Sequence, residues 1–239
     1  MFLMFFTSCK TLKITGEYLD NPPSVVPKVA LSTDLNRNNW QHLDPINDSV
    51  PGMSVDKAYK ELIKDSEGQT VVVAVLDTGI DIKHEDLKGN IWTNKKEIPG
   101  NNIDDDKNGF VDDVYGWNFL GEAYYEQLEL TRLLGKGEDF PEKEEAQKDY
   151  DKRLAEARGE ETLKYYLNYD FKGRTTGDDP DDFEQTYYGD NKVEHSREDE
   201  SHGTHVAGII AATRNNSLGM NGVANNVEIM TLRVVPYGD

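Results

Sequence analysis

The sequence predicts an α/β domain, a parallel sheet flanked by helices, and three stretches carry that expectation. Val71-Val72-Val73-Ala74-Val75-Leu76 is an unbroken apolar run without alternation, the pattern of a strand covered on both faces. His202 to Thr213 is apolar and rich in small residues, which suits a buried helix, and Val227 to Val235 reads as a further strand. Strand, helix and strand in that order call for a right-handed crossover onto a parallel neighbour. So few strands cannot bury both faces of a sheet, so the domain is expected to be incomplete within these 239 residues.

At the start of the chain, residues 1–9 hold a short apolar run, then Ser8 and Cys9. This resembles the end of a bacterial lipoprotein signal, with Ser8 small enough for cleavage and Cys9 available for acylation, although no basic residue precedes the run. The other reading is a frayed apolar terminus with a free thiol. Under the lipoprotein reading the chain is exported, to the cell envelope or beyond. Cys9 is then its one expected link to a membrane, because no run of about 18 apolar residues occurs.

Residues 10–53 form an extended, Pro- and Asn-rich segment, expected to drape over a core through Trp40 and Leu43. Ser54 is predicted to cap a helix with Val55, Ala58, Tyr59, Leu62 and Ile63 along one side and Gly68 at its end. Residues 54–121 and 201–239 make up the expected α/β domain. Between them, residues 122–200 differ in kind, with 24 acidic and 12 basic residues. Glu142 to Arg158 favours a helix carrying Ala146, Tyr150, Leu154 and Ala157 on one side, and Lys172 to Asp182 is turn-rich. This charged helical insertion is expected to be a solvated excursion on the surface of the core; a specific binding surface is the alternative.

Lys and Arg total 26 against 45 Asp and Glu, a net charge of −19 that excludes general affinity for nucleic acid or anionic lipid. The single cysteine excludes an intramolecular disulfide and any multi-cysteine metal site.

Two segments carry chemistry. Asp77 ends the first strand and Gly79 follows it. Catalytic groups in α/β sheets gather at the carboxyl ends of strands, and a partly desolvated carboxylate there needs donors or a cation. Capping the next turn is an equally ordinary use of such an aspartate. The second segment, His202-Gly203-Thr204-His205-Val206-Ala207-Gly208, opens the small-residue helix. Its two histidines share a helix face, but a catalytic zinc site needs a third ligand and no HExxH pattern is present. His205 is expected to be a structural, satisfied histidine.

Together the two segments resemble the subtilisin-like serine peptidases, the subtilases. The likeness covers roughly residues 70–92 and 201–235, including His84-Glu85-Asp86-Leu87, Asn215-Asn216-Ser217-Leu218-Gly219 and Gly222-Val223-Ala224. It implies a subtilisin-like parallel sheet and hydrolysis of polypeptide substrates through an Asp-His-Ser triad, with Asp77 and His202 as the aspartate and histidine. The family's nucleophile lies in a Gly-Thr-Ser-Met-Ala-type segment, preceded by an oxyanion asparagine. Neither motif follows His202, and Ser217 matches a structural serine. Residues 1–239 alone are therefore expected not to cleave peptide bonds, and an inactive surface lipoprotein serving as a binding module is the contrasting class. Leu76-Asp77-Thr78-Gly79 also resembles the tripeptide that aspartic peptidases use in pairs. No second Asp-Thr/Ser-Gly occurs, and the histidine segment would be left without a role.

A calcium loop is expected separately. Asp104, Asp106 and Asn108 precede Gly109 in the D-x-D-x-N-G order that begins an EF-hand loop, with Asp112 or Asp113 placed to close the cage. Crowded carboxylates repel one another, and a Ca2+ ion would relieve that repulsion; a solvated acidic turn is the alternative. The subtilase resemblance implies a second calcium site at Asp86 and Asn216.

Overall fold

The computed structural model describes residues 38–64, 68–125, 127–137, 139–160, 162–171, 182, 184–185, 187–195 and 200–236. Cys9, residues 10–37 and all of the turn-rich Lys172–Asp182 stretch except Asp182 lie outside the described residues. The chain forms two compact units, residues 1–62 and 63–239. Among the described residues no helix is long and apolar enough to cross a membrane.

In the first unit a 3-10 turn, Trp40–His42, leads into a turn system ordered by Asp44. Asp44 Oδ1 accepts from the N–H groups of Asn47 (2.7 Å) and Ile46 (3.0 Å), and Oδ2 accepts from Ser54 Oγ (2.9 Å) and Lys57 Nζ (3.4 Å). These donors, the Asn47 N–H foremost, hold the Asp44 carboxyl at about 2 against an ordinary 3.8. Trp40 and Leu43, the expected anchors, are not the buried residues of this unit. Trp40 is 45 % exposed and Leu43 half-buried, whereas His42, Asp44 and Val50 are buried, because polar turn bonds rather than apolar side chains order this segment.

Ser54 likewise does not cap a helix. Its hydroxyl goes to Asp44 and its backbone sits in the left-handed region at φ +59°. The helix that follows, α1 (Val55–Ala58), is a single turn that widens into a π-turn over Tyr59–Ile63. The apolar stripe read there is not a buried face, since Leu62 is 81 % exposed.

In the second unit β1 (Val71–Asp77), β2 (Gly116–Asn118) and β3 (Val227–Arg233) form a parallel sheet in the order β1-β3-β2. The register runs from Val71 opposite Val227 to Asp77 opposite Arg233, and Gly116 lies opposite Thr231. The small-residue helix, α4 (His202–Ala211), follows the insertion and its two helices, α2 (Glu129–Lys136) and α3 (Lys143–Glu156). Ala207 and Ala211 are fully buried and pack with Val75, Ile80, Leu87 and Ile229, so small side chains let the helix lie close on the sheet.

The expectation that β1 is covered on both faces is corrected here. Val73 and Val75 point to the covered side, while Val72 (44 %) and Leu76 (60 %) stay exposed. Alternate residues of a strand face opposite ways, and among the described residues α4 is the helix whose side chains join this core from above the sheet.

The insertion has a small core of its own. Helices α2 and α3 pack together, Tyr150 is buried with its hydroxyl donating to Leu167 O (2.9 Å), and Tyr150 stacks on Tyr169 at 4.7 Å. Tyr125 stacks on Tyr165 at 4.1 Å. Of the side expected to be apolar in α3, Tyr150 is buried and Leu154 is 44 % exposed. The return of the insertion is tied into the core at particular residues. Val193 and Glu200 are buried, the Ile80 N–H donates to Val193 O (3.2 Å), and Asn118 and Asp190 form a bridge.

Candidate active site

Asp77 is the last residue of β1 and His202 the first of α4, so both stand at the carboxyl end of the sheet. His202 Nδ1 lies 2.7 Å from Asp77 Oδ1. Three further contacts hold the two segments in register. The Gly203 N–H donates to Thr78 Oγ1 (2.9 Å), the Asp81 N–H donates to Thr204 Oγ1 (3.0 Å), and the Gly79 N–H donates to Glu200 Oε1 (2.9 Å). Asp77 Oδ1 also accepts from the Thr78 N–H at 2.7 Å, and the Asp77 carbonyl accepts from the N–H groups of Val234 and Val235. The carboxylate is thus fixed from below and mostly buried, at 13 % side-chain exposure, while the imidazole is 68 % exposed.

The chemistry of this pair follows from its geometry. A carboxylate against Nδ1 favours the tautomer with its proton on Nδ1, which leaves the Nε2 lone pair available on the open side of the ring. If Nε2 then takes a proton, the same carboxylate stabilises the imidazolium. A cleft of about 790 Å3 lined by Lys83, Tyr115 and Lys192 includes neither residue.

The model of the subtilase family matches residues 68–239, which is more than half of the chain. The chain belongs to the subtilase family. Over 65 residues it is 45 % identical to subtilisin-like protease 1 of Plasmodium berghei (strain Anka), covering 27 % of this chain and 11 % of that protein. It is 46 % identical over 65 residues to subtilisin-like protease 1 of Plasmodium falciparum (isolate 3D7), covering 27 % and 9 %. With the major intracellular serine protease of Bacillus subtilis (strain 168) it shares 39 % over 83 residues, 35 % of this chain and 24 % of that one. The matched stretch spans about a tenth of the length of the Plasmodium relatives.

In this subtilase His205, expected to be structural, is exposed on α4, on a side of the helix turned away from the sheet. Thr78, Thr204 and Glu200 are the supporting residues that motif matching missed. Thr78 and Thr204 sit inside the two motifs, but Glu200 is one acid in an acidic run and carries no signal of its own.

The acidic loop gathers differently from the expected cage. Asp104 and Asp106 converge with Glu97, their oxygens all within 4.8 Å of one another. Asp112 instead accepts the N–H groups of Gly100 and Asn102 (both 2.8 Å), and Asp113 accepts the side-chain amides of Asn94 (2.8 Å) and Asn108 (3.0 Å). Asn108 Oδ1 accepts the Phe110 N–H, 2.8 Å away. Asp112 and Asp113 are not in the three-carboxylate group, and the Asn108 N–H donates to Asp104 Oδ1 and Asp106 Oδ1 at 3.1 Å each. Burial pushes the Asp113 carboxyl up, against the two amide donors that lower it. Glu97 precedes the loop in sequence and reaches it because the chain folds back: its carboxylate accepts the N–H groups of Asp106 and Asp112, each at 3.1 Å. An all-oxygen group of three carboxylates suits a hard divalent cation. At the second expected site, Asn216 Nδ2 donates to Asp86 Oδ1 at 2.6 Å, and Asp86 is buried.

Proposed function

We propose that this chain supplies the aspartate and histidine of a serine endopeptidase acting on polypeptides. The observation that supports it is the 2.7 Å contact between Asp77 and His202 at the carboxyl end of β1. His202 Nε2 removes the proton of a serine hydroxyl as the serine oxygen bonds to the scissile carbonyl carbon. The same proton passes to the leaving amine as the peptide bond breaks, and a water then repeats the cycle to release the acid. Asp77 holds the tautomer and stabilises the imidazolium throughout. Between His202 and Asp239 the one serine is Ser217, so residues 1–239 on their own are expected to be inactive.

A form carrying the nucleophile is expected to cleave peptides near neutral pH and to be blocked by a serine-directed organophosphate. Cleavage confined to acid pH and indifferent to that reagent would instead favour an aspartic mechanism. Export and lipid attachment at Cys9 belong to the same proposal and are supported by the run ending in Ser8-Cys9.

The proposal also includes a structural Ca2+ held by Glu97, Asp104 and Asp106, with a second at Asp86 and Asn216. Bound there, the ion would offset the mutual repulsion of the carboxylates and brace the loop; it takes no part in the proton transfers. Millimolar Ca2+ is expected to raise the thermal unfolding temperature of the protein, and the gain should be smaller in Asp104→Ala/Asp106→Ala, which keeps only the Asp86 site. An equal gain in both proteins would remove this loop from the account.

A further inference from the structure

We propose that Glu200 is a positioning residue that keeps the Arg233 guanidinium off Asp77, so that the Asp77 carboxylate stays committed to His202. The inference rests on the triad assignment above. Asp77 and Arg233 are register partners on adjacent parallel strands. Such partners lie about 4.8 Å apart and send their side chains to the same face of the sheet. Arg233 is fully buried, and a buried guanidinium beside a carboxylate pairs with it strongly, often through two N–H groups at once. Pairing of that kind would occupy the acceptor that the imidazole needs.

Glu200 diverts this cation. Its carboxylate meets Arg233 Nη2 at 3.0 Å, with the two side chains 1 % and 0 % exposed. The Tyr124 ring covers the guanidinium from another side, its centroid 4.6 Å from Cζ. The same Glu200 Oε1 accepts the Gly79 N–H, so one oxygen both holds the cation and fixes the turn that follows Asp77. Glu200 is also two residues ahead of His202, which ties the start of α4 to the same point.

The test is the tautomer of the neutral His202 ring, read by long-range 1H–15N correlation at alkaline pH, with His202→Ala used for assignment. The wild-type chain is expected to hold the proton on Nδ1. Glu200→Gln leaves the cation without its carboxylate, and the Nδ1–H form should be lost to a mixture with Nε2–H. Glu200→Gln/Arg233→Met removes the cation as well and should restore the Nδ1–H form, a rescue that a merely structural role for Glu200 does not give. If Glu200→Gln fails to fold, Glu200→Asp and the double variant decide, since both must keep the Nδ1–H form and loss in either overturns the inference. A wild-type ring without the Nδ1–H form overturns the triad assignment and this inference with it. A wild-type ring that has it, beside a Glu200→Gln ring that keeps it, overturns this inference alone.

Discussion

In an enzyme form that carries the serine nucleophile, His202→Ala is expected to lower kcat by about 10^6 and Asp77→Asn by about 10^4, with KM little changed. The two losses differ because the roles differ. Without the imidazole nothing accepts the serine proton. With Asn at position 77, an amide N–H faces Nδ1, the ring turns to the Nε2–H tautomer, and the wrong edge meets the nucleophile. Asp77 Oδ1 accepts the Thr78 N–H as well as contacting His202, so an asparagine that turns its amide N–H toward the ring gives up the turn bond too. Steady-state kinetics on a peptide substrate measure both effects. An Asp77→Asn enzyme within tenfold of wild type would remove Asp77 from the mechanism.

The second large effect concerns two glycines on one helix. A Cβ at Gly203 would stand 2.6 Å from Thr78 O and 3.0 Å from Gly79 O, backbone atoms that cannot rotate away. Gly203→Ala is expected to destabilise the fold by about 2–3 kcal/mol, the upper part of the range for overpacking, because α4 must back off the turn after Asp77. Gly208 has nothing within 4 Å of its Cβ position. There Gly208→Ala should stabilise by up to about 1 kcal/mol through helix propensity alone. Urea unfolding of the two variants against wild type reads the difference. Effects of the same sign would mean that the approach of α4 to the Thr78 turn is not what fixes this end of the helix.

What the sequence made legible follows from locality. Asp77 and His202 stand in short motifs whose neighbours are also the structural partners, Thr78 with Gly203 and Asp81 with Thr204, so a pattern of residue types carries the geometry. The helix His202–Ala211 and the strand Val227–Arg233 were readable because their small and apolar residues recur at the period of the element they form. Elsewhere the deciding contact is distant or polar. Ser54 has the composition of a cap, but Asp44, ten residues earlier, takes its hydroxyl. Glu97 reaches the acidic loop only after the chain doubles back, and counting along an EF-hand pattern cannot see it. The valine run of β1 is apolar on both sides, yet pattern alone does not tell which side finds a covering helix. Glu200 was hidden among identical charges, and only burial beside Arg233 sets it apart from them.

The excursion between the two motifs leaves the core at Tyr124, meets it again at Asp190 and Val193 and ends at Glu200, and Tyr124 and Glu200 both rest on the guanidinium of Arg233. Exit and entry therefore share one post. A detour whose ends are pinned together adds little entropic burden as it lengthens, about 0.6 kcal/mol for each doubling. The polypeptide between Tyr124 and Asp190 can therefore change in length at small cost while Asp77 and His202 keep their contact.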